Sequence, residues 1–386
     1  PDCGTAFVWG AKAFGPVVGW IGGWAVAVSA IMVLANVGEV TGKYFWLLLG
    51  NEEFASNRVV VVITSVIFMA IMTFVSTVGV QIGERMQMIL MTIQIVAMVA
   101  FGVLALWHAL DGSNTGSIAF DWQWFNPAEL GSWSGFMEAV LLALFIYWGW
   151  DTCLALNEET KNPRKTPGRA AISTIVILIV LYVGISVAVM MFAGFGDTGF
   201  GLTNEATLAA GFSVLGGVLF GPWGWFLLLG VMLSAASSTQ TTILPTARGT
   251  LSMAVYRALP AKFAELHPKF KTPWFSTTVM GVAAIVYYVA MSILSEDMLA
   301  DSLTSMGLAV ALYYAITSFA CVWYFRDTLR DSTRNLWMRG ILPALGGLML
   351  AYAFIQSAID MISVDYSYTV IFGIGGAFVI GVGAIL

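Results

Sequence analysis

The sequence predicts an all-α integral membrane protein, and three observations carry that prediction. The 386 residues are 59% hydrophobic and 10% charged, where a soluble globular chain carries about 25% charge. Mean hydropathy is +0.85. The apolar runs continue for about 20 residues instead of alternating over about ten, which selects helices over barrel strands. The basic residues also sort by loop.

A helix needs about 20 apolar residues to cross about 30 Å of hydrocarbon. Ten runs qualify: 16–41, 59–81, 86–107, 134–156, 171–194, 223–246, 273–294, 303–325, 341–360 and 367–386. If they alternate in direction, one set of loops holds Lys12, Arg85, Lys161, Arg164, Lys165 and Arg169. The same set holds Arg248, Arg257, Lys262, Lys269, Lys271, Arg326, Arg330, Arg334 and Arg339. The other set holds only Lys43 and Arg58. A wrong span count would scramble this sorting. The basic side is cytoplasmic, so loops 157–170, 247–272 and 326–340 are predicted inside. Loops 111–129, 197–205 and 296–301 are predicted outside. The net charge of −5 then says little about partners, and no nucleic-acid partner is expected.

Taken in order, the chain starts at Pro1 rather than an initiator methionine and stops inside an apolar run. Residues 1–386 are therefore read as one transmembrane domain, cut at the N-terminus and at the C-terminus. Phe14-Gly15-Pro16 precedes the first span and Phe220-Gly221-Pro222 the sixth, each followed closely by Gly-Trp. Proline at the first helical position explains each locally. The alternative is an inverted repeat, since the two spans enter from opposite faces. Five spans per repeat would place two more before Pro1. Segment 205–219, broken by Gly211, Gly216 and Gly217, reads as a short surface helix or re-entrant piece. Segment 248–272 reads as an amphipathic connector punctuated by Pro260 and Pro268.

The stretch FIYWGWDTCLALNEETKNPRKTPGRA, residues 145–170, holds the unusual chemistry. A carboxylate at a helix centre costs about 2.5–3.5 kcal/mol on insertion scales, so Asp151 needs a partner, water or a proton. It either hydrates from the cytoplasmic side or faces a cavity as a titrating or gating group. Gly149 either permits close packing or permits unwinding. An unwound turn exposes backbone groups that can bind a zwitterion, and it is tolerated where it lines a cavity. The aromatics Phe145, Tyr147, Trp148 and Trp150 can close over such a ligand.

The second cluster is SAASSTQTT, residues 234–242. Hydroxyls in membrane helices usually bond back to their own helix. Six hydroxyls and Gln240 in nine residues exceed that use, so a polar stripe facing a cavity is expected, with Ser234, Ser237 and Ser238 as a candidate cation site. Glu39 and Glu138 read as interfacial, and Glu158 and Glu159 with Lys161 to Arg169 as a solvated turn, where Asn162-Pro163 stops the helix.

Cys3, Cys153 and Cys321 are far apart and form no disulfide or metal pattern. His108 and His267 stand alone. No Walker A, HExxH, GxSxG or kinase pattern is present, so no enzyme and no metal site is expected. No TVGYG-type filter favours a channel.

The run 145–170 resembles the sixth helix and following loop of amino acid–polyamine–organocation permeases, of the bacterial amino acid permease type. PDCGTAFVWGAKAFGP resembles the loop between that family's second and third helices. TARGTLSMAVYRALPAKFAELHPKFKTP resembles its eighth-helix exit. The three motifs fall in the family's order and cover nearly the whole chain.

The resemblance implies a LeuT-like five-plus-five inverted repeat followed by two C-terminal helices, with about ten spans present here and the first two helices missing. Substrate would lie between the family's broken first and sixth helices. Phe145 matches an aromatic that covers substrate, and Ile146, Tyr147, Trp148 and Gly149 match the unwound backbone. Asp151 matches an acid implicated in gating. Ser238 and Thr242 match cavity-facing positions of the eighth helix. The fifth family helix, 86–106, has no lysine, although some proton-coupled members use one there.

The expected function is secondary active transport of an amino acid or related amine across the plasma membrane by alternating access. The alternatives are an exchanger or polyamine importer of the same fold, or a non-transporting receptor or channel. No cofactor is expected. Coupling stays open between a proton on Asp151, a hydroxyl-lined sodium site and plain exchange. The expected partners are a small-molecule substrate and the bilayer. Lacking the first broken helix, residues 1–386 alone are expected not to transport.

Overall fold

The computed structural model describes residues 2–362, apart from 79, 113, 130, 157–159 and 296–297. Among them every regular element is helical. In order these are α1 (Thr5–Phe14), α2 (Pro16–Leu48), α3 (Glu52–Ser56), α4 (Arg58–Val78), α5 (Val80–Asp111), α6 (Trp133–Ile146) and α7 (Thr166–Ala193). Then follow α8 (Glu205–Phe220), α9 (Gly224–Val255), α10 (Trp274–Leu294), α11 (Met298–Tyr324), α12 (Thr333–Asn335) and α13 (Leu342–Ile362).

Helix α4 shows why the bundle belongs in lipid. Its exposed face is Val59, Ile63, Ile67, Ile71 and Phe74, spaced three or four apart. Its buried face carries Thr64, Ser65, Thr73 and Ser76 beside Val61 and Met69. A soluble amphipathic helix has the opposite arrangement. The buried hydroxyls bond back one turn, as Ser65 Oγ does to Val61 O at 2.8 Å and Thr73 Oγ1 to Met69 O at 2.7 Å. The Thr64, Ser76 and Thr77 hydroxyls bond to the same backbone, and small side chains let the helices approach. The outer faces of α7 and α13 are equally apolar, with Ile172, Val176, Val180, Leu345, Leu348 and Ile355 all exposed.

Helix α2 is the central post, touching α1, α4, α9, α10 and α11. Ala25, Ala30, Leu34 and Ala35 on it are fully buried. Gly38 and Gly42 press against α4, where a side chain at 42 would run into Ser65 and the Val61 carbonyl. Its start is fixed by Gly15, at φ 94°, followed by Pro16 in the first turn. Gly221, at φ 53°, and Pro222 form a short 3-10 turn before α9. Both Phe-Gly-Pro motifs thus share the local geometry of a positive-φ glycine and a proline in the first turn.

Eight helical stretches among the described residues are long and apolar enough to cross a membrane. They correspond to eight of the ten expected spans. Span 134–156 is not one continuous helix: α6 stops at Ile146 after 14 residues, about 21 Å of rise. Span 367–386 lies outside the described residues, as do the side chains of Arg85, Glu138, Glu158 and Glu159. The predicted loops are also more ordered than expected. Residues 166–170 already belong to α7 and 247–255 to α9. Segment 326–340 holds a 3-10 turn, α12 and most of a π-turn, Leu336–Ile341. Segment 205–219 is the helix α8, kinked at Ala210, whose Leu215 and Leu219 join Phe101 and Leu227 in a buried cluster.

Loops assigned to one end of the bundle meet there. The Tyr256 hydroxyl donates to Asp2 at 2.8 Å, and Thr272 Oγ1 donates to Thr77 O at 2.7 Å. Of the loops assigned to the opposite end, the Arg58 guanidinium reaches the Ser295 carbonyl.

Candidate functional site

The end of α6 builds the site. Tyr147 N–H still bonds Ala143 O at 2.9 Å, and Trp148 N–H bonds Phe145 O at 3.0 Å, which tightens the turn. Gly149 then takes φ 97°, a region that costs other residues about 1–2 kcal/mol. The chain restarts as a 3-10 turn, Thr152–Leu154. Thr152 Oγ1 holds the Gly149 carbonyl at 2.7 Å. Cys153 Sγ donates to Pro167 O at 3.5 Å, tying the turn to the start of α7. Among the described residues, no hydrogen bond reaches the carbonyls of Ile146, Tyr147 and Trp148.

This broken turn forms one wall of a cavity of about 700 Å³. The other walls come from α2, α5, α7, α8, α9 and α11. Phe145, Ile146, Trp148, Gly149 and Trp150 all line it. Tyr147 does not. Its ring meets that of Tyr182 edge-on, with centroids 5.4 Å apart, and Tyr182 is the lining residue.

Asp151 lies just beyond the cavity wall. It accepts a hydrogen bond from the Tyr314 hydroxyl of α11 at 3.2 Å. The Tyr314 ring lies 5.9 Å from that of Trp150 and 4.4 Å from that of Tyr313. The carboxylate thus has a named partner on another helix, as a membrane-embedded acid requires.

The hydroxyl cluster of α9 divides by helix face. Ser234, Ser238, Thr241 and Thr242 line the cavity, a spacing of about four and then three or four residues that holds one face. Ser237 and Thr239 turn away and bond Ser234 O at 3.1 Å and Ala235 O at 3.3 Å. Of the three cation-site candidates, Ser234 and Ser238 therefore reach the cavity and Ser237 does not. Pro245 inside the same helix cannot donate to the Thr241 carbonyl.

Three further residues belong to this region. Asn36 of α2 is 1% exposed, lines the cavity, and neither of its amide atoms has a hydrogen-bond partner. Gln94 of α5 lines it with its buried Oε1 equally unmatched. Tyr314 anchors Asp151. An amide inside a mostly apolar run was the available signal for the first two, Asn36 alone in 16–41 and Gln94 alongside Gln87 in 86–107. Nothing in the sequence pairs Tyr314 with Asp151.

Glu39 lines a second cavity of about 520 Å³, with Lys43, Glu52 and Arg58. Among the described residues, the larger cavity has no Asp, Glu, Lys, Arg or His in its lining. No cluster of metal-ligating side chains occurs among the described residues.

Comparison with known proteins places the chain in a family. The family model described as Amino acid permease matches residues 1–382. The serine/threonine exchanger SteT of Bacillus subtilis is 23% identical over 342 residues, covering 86% of this chain and 71% of that protein. An uncharacterized transporter of Mycobacterium tuberculosis is 26% identical over 370 residues, covering 93% of this chain and 73% of the relative. A methylthioribose transporter of Bacillus subtilis is 22% identical over 297 residues, covering 74% and 60%. The match runs through the helix break and the cavity walls alike, and with it the chain is assigned: it belongs to the amino acid permease family of multi-pass membrane proteins.

Proposed function

We propose that this protein moves an amino acid or related amine across the plasma membrane by alternating access. The observation that carries the proposal is the turn that follows Ile146, where no hydrogen bond among the described residues reaches the Ile146, Tyr147 and Trp148 carbonyls, beside a cavity of about 700 Å³. Unpaired backbone groups within a bundle are tolerated where they line a cavity or are buried in protein. Carbonyls there take an ammonium group, and N–H groups take a carboxylate. Phe145 and Trp148 close over the bound molecule. Ser238 and Thr242 face it from α9. Rocking of one helix set against the other then exposes the site to either side, in the manner of inverted-repeat carriers.

Exchange of one amino acid for another is the mode favoured by the likeness to a serine/threonine exchanger. Coupling ions have two candidate places: a proton on Asp151, or sodium beside the Ser234 and Ser238 hydroxyls. The cytoplasmic face carries the basic loops.

The test uses the intact protein in proteoliposomes with labelled amino acids and polyamines, at two pH values, with and without sodium. Saturable uptake, accelerated by unlabelled substrate on the opposite side, is expected. Flux that never saturates, or none from well-folded protein, would overturn the carrier reading.

A further inference from the structure

Resting on that transport reading, we infer that Asn36 and Gln94 select the cargo: a net-neutral amino acid whose side chain carries a hydroxyl or carboxamide. The walls of the cavity are uncharged among the described residues. A cationic amino acid or a polyamine would leave water for a site with no carboxylate in its wall. An acidic side chain would find no cation. Either transfer is costly when the charge is unpaired.

The two amides narrow the choice further. Asn36 is fully enclosed and offers both a donor, Nδ2, and an acceptor, Oδ1, without partners. Gln94 adds an unmatched Oε1 from a different wall. Helix α9 contacts both α2 and α5, and the two amides line the same cavity as Ser234 and Ser238. Leaving a buried amide unpaired costs free energy that a matching ligand recovers. A hydroxyl or carboxamide both donates and accepts, and so matches Asn36. An aliphatic side chain of the same shape leaves it orphaned, and a site built to hydrogen-bond discriminates strongly against such an analogue.

Threonine and valine are the decisive pair, because they differ by a hydroxyl against a methyl at nearly equal volume. In proteoliposomes carrying the intact protein, threonine uptake should exceed valine uptake by about tenfold or more in kcat/KM. Arginine and putrescine should compete poorly with threonine. Asn36→Leu, close in size, should bring the threonine-to-valine ratio within about threefold while valine uptake persists, the expected result of removing one buried hydrogen-bond pair. Gln94→Met tests the second wall independently and should also narrow the ratio, should Asn36→Leu fail to fold.

Equal uptake of threonine and valine by the unaltered protein would overturn the inference. So would faster uptake of arginine or putrescine, or an unchanged ratio in both variants. Absence of uptake for every amino acid and amine would overturn the transport reading as well. Uptake of any one of them separates that failure from a failure of selectivity alone.

Discussion

Asp151 sits where the chain turns out of α6, and it accepts a hydrogen bond from Tyr314 of another helix. That bond links the broken turn to α11, so a change of charge at Asp151 changes what holds the two together. Asp151→Asn keeps the shape and removes the proton site. In the intact protein it should slow uptake by about tenfold or more, the loss expected when a hydrogen bond to a charged group is weakened, or flatten the dependence of uptake on pH. Uptake identical to the unaltered protein at every pH would exclude the role. Asp151 and Gly149 were visible in the sequence because a carboxylate and a glycine are out of place in an apolar run. Asn36 and Gln94 were visible only as amides in apolar runs, and nothing local distinguishes an amide with a partner from one without. Whether Ser237 or Ser238 faces the cavity depends on the rotation of α9, which its neighbours set. Composition records that hydroxyls are present and not where they point.

Among the elements, α2 and α4 approach closely at Gly42, which lies against Ser65. Gly42→Leu would drive a side chain into Ser65 and the Val61 carbonyl. Overpacking of this kind costs about 1–3 kcal/mol, so the detergent-purified variant should melt below the unaltered protein. Gly249 of α9 has open space at the corresponding position. Gly249→Ala should leave the melting temperature unchanged or slightly raised, since alanine is the better helix former. A Gly42→Leu protein as stable as the parent would show that α2 and α4 do not meet in this way. Long helices such as α4 and α10 were legible because length and hydropathy alone define them. The division of 134–156 into a short helix and a turn was legible only at Gly149 and Asp151, since most of the remaining residues are apolar. The early starts and late ends of α7 and α9 escaped because polar residues continue a helix beyond the bilayer without changing its backbone.

For the molecule as a whole, the two sets of loops define two faces. Lys269→Cys and Ser117→Cys, each in a background with Cys3, Cys153 and Cys321 replaced by serine, test them directly. A membrane-impermeant maleimide should label position 117 from outside intact cells and position 269 only after the inner face is opened. Labelling of both from one side would overturn the topology. The free carbonyls of the broken turn carry one more consequence. Every amino acid has the same ammonium and carboxylate, and every polypeptide has the same carbonyls, whatever its side chains. On the proposed reading, the common handle of the cargo is gripped by atoms that no codon change can delete. Descendants of this chain can therefore inherit the grip intact and retune diet by altering a few residues of the surrounding wall.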